Sequence, residues 1–347
     1  MPANVLNPQF LEIALNALKV VLTFSVLILV HEWGHFIAAR KAGVRVEVFS
    51  LGFGRKIFGV RRGHTDYILC IFPLGGYVKL AGDNLEEWKK QPGEYLSAPI
   101  HKRLMIIAAG PLMNALLGVG FLWMVFMLGF PHWTTRVGSV LEGKGAYRAG
   151  LVKGDVITSV EGVPVRLWDD LLVQIRSHAD RDSLRITALR DGAAMDFNVA
   201  LTETTVEDEL KQKKKVGMIG IAPDPSSLVR KRYAPLPALR AAVSSAWGMA
   251  VTTYKAIGYM LVRKISARDS LTGPVGIIHL IAQTRTLIDA VHLTAILSIS
   301  LMLINILPVP PLDGCHMLLL GVEKLRGKYL AKKTEEMPAT RTRSGSA

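Results

Sequence analysis

The sequence predicts a polytopic α-helical membrane protein with a cytoplasmic β-hairpin or sheet loop and an inserted extracytoplasmic α+β domain. Three observations carry that expectation. Half of the 347 residues are hydrophobic and 20% are charged, with a mean hydropathy of +0.30, a mixture that fits membrane segments joined to a sizeable soluble part. Three segments, 10–30, 104–130 and 290–307, are long and apolar enough for a hydrocarbon layer that takes roughly 17–25 residues. Between the second and third, residues 136–203 alternate apolar with polar as half-buried strands do.

The first helix is expected to run on through His31-Glu32-Trp33-Gly34-His35 to Ala39. H-E-x-x-H on a helix stacks two imidazoles at i and i+4 on one face, where both can bind one Zn²⁺, with the glutamate placed to take a proton from water. The preceding residues, Ala14 to Val30, are almost all apolar and Lys19 is their only charge. Polar clusters at membrane depth are costly, so this one reads as a hydrolytic zinc site inside a bilayer. Residues 1–30 do not read as a signal peptide, because Met1 to Phe10 carries no positive charge and the apolar run leads into the histidines.

The loop 40–103 holds twelve Lys/Arg against six Asp/Glu, which assigns it to the cytoplasm under the positive-inside rule. Within it, 44–54 and 67–80 are β-branched and aromatic, broken by glycines, and predict a short sheet or hairpin. In the second span, Gly110-Pro111-Leu112-Met113-Asn114 loosens the helix and permits close approach. Asn114 is a weak candidate for a substrate or oxyanion contact, with packing the plainer reading.

Beyond the second span the sequence predicts a helix at 167–177, strands near 184–190 and 195–201, and a solvated charged loop at 207–215. The stretch 236–262 is apolar but interrupted by Arg240 and Lys255, and it reads as an amphipathic helix at the membrane surface. The third span ends in Pro308-Val309-Pro310-Pro311, a helix stop. Asp313 follows, the strongest candidate for a third metal ligand, with Cys315 and His316 competing. Asn305, a polar amide in the third span, could hydrogen-bond a neighbouring helix or contact substrate.

The formal net charge of +14 is not matched by any zinc-finger, RNP-like or basic helix-turn-helix pattern, so nucleic acid is not an expected partner. Cys70 and Cys315 are far apart and make no disulfide framework.

HEWGH after the first span, GPLMN in the second and NILPVPPLDG after the third resemble the site-2 protease family of zinc intramembrane metalloproteases. The resemblance extends to VFSLGFG, FPLGGYVKLAG and Ser270–Ile277, and covers the chain to about Lys328. Residues 136–203 are similar to a PDZ domain, so the nearest pattern is the bacterial RseP type with one PDZ-like domain, with an edge strand expected at 217–221. The resemblance implies Zn²⁺ held by His31, His35 and Asp313, water activation by Glu32, and substrate contact by Asn305. It implies cleavage of single-span membrane proteins, of the anti-sigma-factor or signal-peptide-remnant kind, in the bacterial inner (plasma) membrane.

The expected partition is 1–130 for the N-terminal membrane core, 131–225 for the PDZ-like domain, 226–289 for the surface segment, 290–328 for the third span and its motif, and 329–347 for a disordered tail. The PDZ-like domain is a candidate peptide binder. Two departures stand out: Cys315 replaces an expected glycine, and the sequence after Gly327 is polar where the family pattern has a fourth span. They keep open a rival reading, a membrane-anchored PDZ module with a vestigial zinc site.

Overall fold

The computed structural model describes residues 8–207, 213–262 and 273–327. The tail expected at 329–347 lies outside them, as do Ser270, Leu271 and Thr272. The chain divides into two compact units: 1–124 with 239–255 and 272–347, and 125–238 with 256–271.

In the first unit, α1 (Pro8–Ala42) is one helix that carries the first span and HEWGH together. It ends at Gly43, whose φ of +80° suits a left-handed helix terminus. Strands β1 (Val46–Arg62) and β2 (Thr65–Leu80) pair antiparallel across a turn at Gly63, so the two predicted β segments lie within one long hairpin. The sheet is pinned to α1 by rings: Phe36 lies 5.2 Å from Phe49 and 5.9 Å from Tyr67 between centroids. Phe36, Ala39, Val44, Val46, Phe49, Leu80 and Ile106 form one buried cluster. The second span is α2 (Ile100–Leu128), with Pro111 inside it.

The second unit contains β3 (Phe130–Trp133), β4 (Val137–Val140), α3 (Gly145–Arg148), β5 (Val156–Val160), β6 (Val163–Pro164) and α4 (Trp168–Ser177). It continues with β7 (Ser183–Arg190), β8 (Ala193–Ala200), β9 (Thr202–Glu207), β10 (Lys213–Met218), β11 (Ile221–Pro223) and β12 (Leu228–Lys231). A four-stranded sheet in the order β6-β5-β7-β8 is flanked by the pairs β4–β11, β9–β10 and β3–β12. The alternation read in the sequence becomes its core: Ile157, Val160, Leu184, Ile186 and Val199 are fully buried with Leu171 of α4. Two expectations need correction. The charged stretch 207–215 is not simply a loop, since Glu207 pairs with Lys213 at the end of the β9–β10 hairpin, and residues 208–212 lie outside the described set. The edge strand expected at 217–221 begins only at Ile221, where it pairs with Val140, while Gly217 and Met218 belong to β10.

Asp155 immediately precedes β5 and is bonded to Arg190 at the end of β7. Its side chain is 1% exposed and takes two 2.8 Å bonds from Arg190 and one of 2.9 Å from the Val152 N–H. The guanidinium first, and the backbone N–H with it, hold its carboxyl below the ordinary value of 3.8 against the opposing effect of burial. The folded state therefore favours the charged form, and that stabilisation is in place above pH 3.8 and lost as pH falls below it. We expect amide protection in β5 and β7, corrected for intrinsic exchange, to fall off over that acid range. An Asp155→Asn variant should be weaker at neutral pH and show less of this fall.

Among the described residues the remaining helices are α5 (Pro235–Leu261), α6 (Pro274–Ala282), α7 (Leu287–Asn305) and α8 (Asp313–Arg326). Helix α7 opens with a capping box, Thr286 Oγ1 accepting from Asp289 N–H and Asp289 Oδ2 from Thr286 N–H. Asp313 is the first residue of α8, an element the sequence analysis did not specify. Among the described residues α1, α2 and α7 are long and apolar enough to cross a membrane.

Candidate metal centre

Gly34 and Gly110 decide how the site is built. A Cβ on Gly34 would stand 2.3 Å from the Ala109 carbonyl oxygen, so its absence lets α1 and α2 meet backbone to backbone. A Cβ on Gly110 would stand 2.3 Å from His35 Nε2 and 2.9 Å from His31 Cε1, so this glycine is the wall against which both imidazoles rest. Pro111 has no N–H to donate to the Ile107 carbonyl, which locally opens α2 beside the histidines. One turn back, the Ile106 carbonyl lies 2.8 Å from His35 Nδ1.

The third member arrives from the far end of the unit. After α7 the chain turns through the prolines and starts α8 at Asp313. Gly314 makes the turn possible, because a Cβ there would lie 2.1 Å from the Ile306 carbonyl oxygen. Helix α8 is held to α2 by a buried, two-pronged pair between the Arg103 guanidinium and the Glu323 carboxylate, with Nη1 3.2 Å from Oε2.

The outcome is a triangle. His31 Nε2 and His35 Nε2 are 3.2 Å apart, and Asp313 Oδ2 lies 3.1 Å from the first and 3.5 Å from the second. Ligands at about 2.0–2.1 Å from a tetrahedral zinc are separated by about 3.3 Å, so these three atoms fit one face of that tetrahedron. Asp313 Oδ2 is buried and accepts no aligned hydrogen bond, as expected of an oxygen aimed at a shared central point. Among the described residues, His31, His35 and Asp313 form the group whose donor atoms lie close enough to share one metal ion. Cys315 and His316, which competed in the sequence, are not in the group.

Glu32 stands outside the triangle, turned toward β2. The Val78 backbone N–H reaches its carboxylate, and a Cβ on Gly76 would come within 3.3 Å of its Cγ. Asn305 is buried at the last residue of α7, with no bond to the three ligand atoms. Asn114, which the sequence favoured as a packing residue, is fully buried with Nδ2 3.1 Å from His31 Nδ1. The available signal was the distance from Gly110 to Asn114, one helical turn, which places both on the face toward the histidines.

Gly110→Ala should abolish high-affinity zinc binding while leaving α2 intact, since alanine favours helix and only the imidazole space is lost. Metal content after equilibrium dialysis, beside the helical circular dichroism of the same sample, checks this.

The pattern of Peptidase family M50 matches residues 19–342. The chain is 32% identical over 333 residues to a Rhizobium meliloti (strain 1021) protein that carries a zinc-metalloprotease name, covering 90% of this chain and 88% of the relative. It is 28% identical to zinc metalloprotease RasP of Shouchella clausii, over 90% of this chain and 91% of that one. It is 25% identical to the regulator of sigma-W protease RasP of Bacillus subtilis, over 91% of each. Among solved structures it is similar to the PDZ domain of an SdrC-like protein from Listeria monocytogenes, at 23% identity and a TM-score of 0.21, covering 25% of this chain and 84% of that one. With the match running through the histidines of α1 and on past Asp313, the chain belongs to peptidase family M50, the site-2 protease family.

Proposed function

We propose that this chain is a zinc-dependent intramembrane endopeptidase that cleaves single-span membrane proteins, with His31, His35 and Asp313 as metal ligands and Glu32 as general base. The observation that carries the reading is the triangle of two ring nitrogens from α1 and one carboxylate oxygen from the start of α8, with His35 and Asp313 278 residues apart in sequence. Zinc, when bound there, supplies Lewis acidity and brings the pKa of a coordinated water to about 7.

The rest is the work of the chain's own side chains. Glu32 takes the proton of the attacking water and delivers it to the leaving amine. A transmembrane helix hides its peptide bonds, so a substrate must be drawn out straight to be cut. Among the described residues β2 pairs only with β1, and its 76–80 stretch passes beside Glu32. A substrate segment added along that edge would be held extended at the site, with the Asn305 amide binding its backbone. The apolar side chains of Phe53, Ile57, Phe58 and Phe72 are at least half exposed on this hairpin, which suits a greasy substrate.

The excess of basic residues in 40–103 supports a cytoplasmic hairpin and active site, and with it an extracytoplasmic PDZ-like domain. In this arrangement α5 lies along the membrane surface and the PDZ-like domain offers a site for a peptide ligand. The class of substrate is anti-sigma factors or signal-peptide remnants, and the location is the bacterial inner membrane.

Cleavage of a model single-span substrate in proteoliposomes, with and without a zinc chelator, tests the proposal. Chelation should stop cleavage and added zinc restore it. Cleavage that persists in the metal-free protein would refute the reading, and peptide binding without any cleavage would favour the vestigial-site alternative.

A further inference from the structure

His31 and His35 differ in what stands behind them. His35 Nδ1 faces the Ile106 carbonyl at 2.8 Å, a group that can only accept. That fixes the proton on Nδ1 and leaves the Nε2 lone pair directed at the shared centre. His31 Nδ1 faces the Asn114 amide at 3.1 Å, a group that can accept through Oδ1 or donate through Nδ2. The two ends of an amide have nearly the same shape, and a half-turn exchanges them.

Here Nδ2 faces the ring, and Oδ1 is buried with no hydrogen-bond partner. A metal on His31 Nε2 requires a proton on Nδ1, and two donors cannot share one contact. Metal-ligating histidines almost always give their other N–H to an acceptor, which fixes ring orientation and raises basicity. We propose that Asn114 is a positioning residue of the metal site: its amide oxygen accepts the Nδ1 proton of metal-bound His31. An aspartate there keeps an acceptor for that proton, and an apolar residue offers none.

The backbone around Asn114 is fixed to make this work. Ser298 Oγ, itself fully buried in α7, donates to the Asn114 carbonyl at 2.8 Å. The bond ties the turn of α2 that carries the amide to the helix leading toward Asp313.

This inference rests on the zinc-site reading above, and the test separates the two. Zinc affinity of the full-length protein in detergent is measured by chelator competition for wild type, Asn114→Leu and Asn114→Asp. The d–d absorption of the Co²⁺-loaded forms and the unfolding of the metal-free forms are recorded alongside. Wild type that binds no zinc defeats the functional reading itself. With wild type binding one zinc, Asn114→Leu should bind about 10–100-fold more weakly and shift the cobalt spectrum. Asn114→Asp, which keeps an acceptor at Nδ1, should retain wild-type affinity or exceed it. Wild-type affinity in the leucine variant, or equal losses in both variants, overturns the proposal, because equal losses are what a packing role predicts. Should the leucine variant fail to fold, Asn114→Ala removes the amide without added bulk, and the same comparison with aspartate decides.

Discussion

Glu32→Gln should lower the rate of substrate cleavage by about 10²–10⁴-fold, the range set by loss of a positioned proton-transfer group, while the protein keeps one bound zinc. The two halves of this expectation come from separate observations. Glutamine has the shape of glutamate, and its Oε1 can still accept from the Val78 N–H, so nothing in the local packing needs to shift. Neither Glu32 oxygen belongs to the His31, His35, Asp313 triangle, so the ligand set is untouched. What is lost is a basic oxygen beside the cleavage position. Cleavage assays on the zinc-loaded variant, with metal content measured on the same preparation, separate the outcomes. Full activity would remove Glu32 from the mechanism, and loss of zinc would make it a ligand instead of a base.

The sequence showed this site unevenly, for physical reasons. His31, Glu32 and His35 were legible because helical spacing alone fixes their mutual geometry, and their place after an apolar run made a chance occurrence expensive. Asp313 was legible as a candidate only. Nothing local distinguishes it from Cys315 or His316, and the choice depends on how α8 leaves the proline turn, where Gly314 approaches the Ile306 carbonyl. The role of Gly110 and Asn114 was hidden for a related reason: small and amide residues in a membrane helix serve packing as readily as ligand support. Only α1 laid against α2 shows what they face. In the second unit the alternation of Leu184, Ile186 and Ala188 reported strand and buried face correctly. The charged run at 207–215 misled because a two-stranded hairpin can be polar on both faces, and polarity without alternation carries no strand signal. The pair Arg103–Glu323 spans 220 residues, and no periodicity connects its ends.

That pair yields the second large effect. Arg103 is 2% exposed at its side chain and Glu323 11%, so removing one partner strands a buried charge. Glu323→Ala should destabilise the packing of α8 on α2 by about 3–5 kcal/mol. The consequence for function follows from helix geometry. Glu323 lies ten residues beyond Asp313 on the same helix, about 15 Å along its axis, so the ion pair anchors the far end of the lever whose near end holds the carboxylate ligand. A loosened α8 lets Asp313 Oδ2 leave the 3.1 and 3.5 Å positions it holds against the two imidazoles, and zinc affinity should fall with stability even though no ligand has changed. Replacing both partners, Arg103→Met with Glu323→Leu, removes the stranded charge and keeps side-chain volume, and should recover most of the stability. Limited proteolysis of the α8 region and zinc titration of the single and double variants measure both effects. A single variant as stable and as zinc-avid as wild type would show that the turn at Gly314, and not the ion pair, holds Asp313 in place.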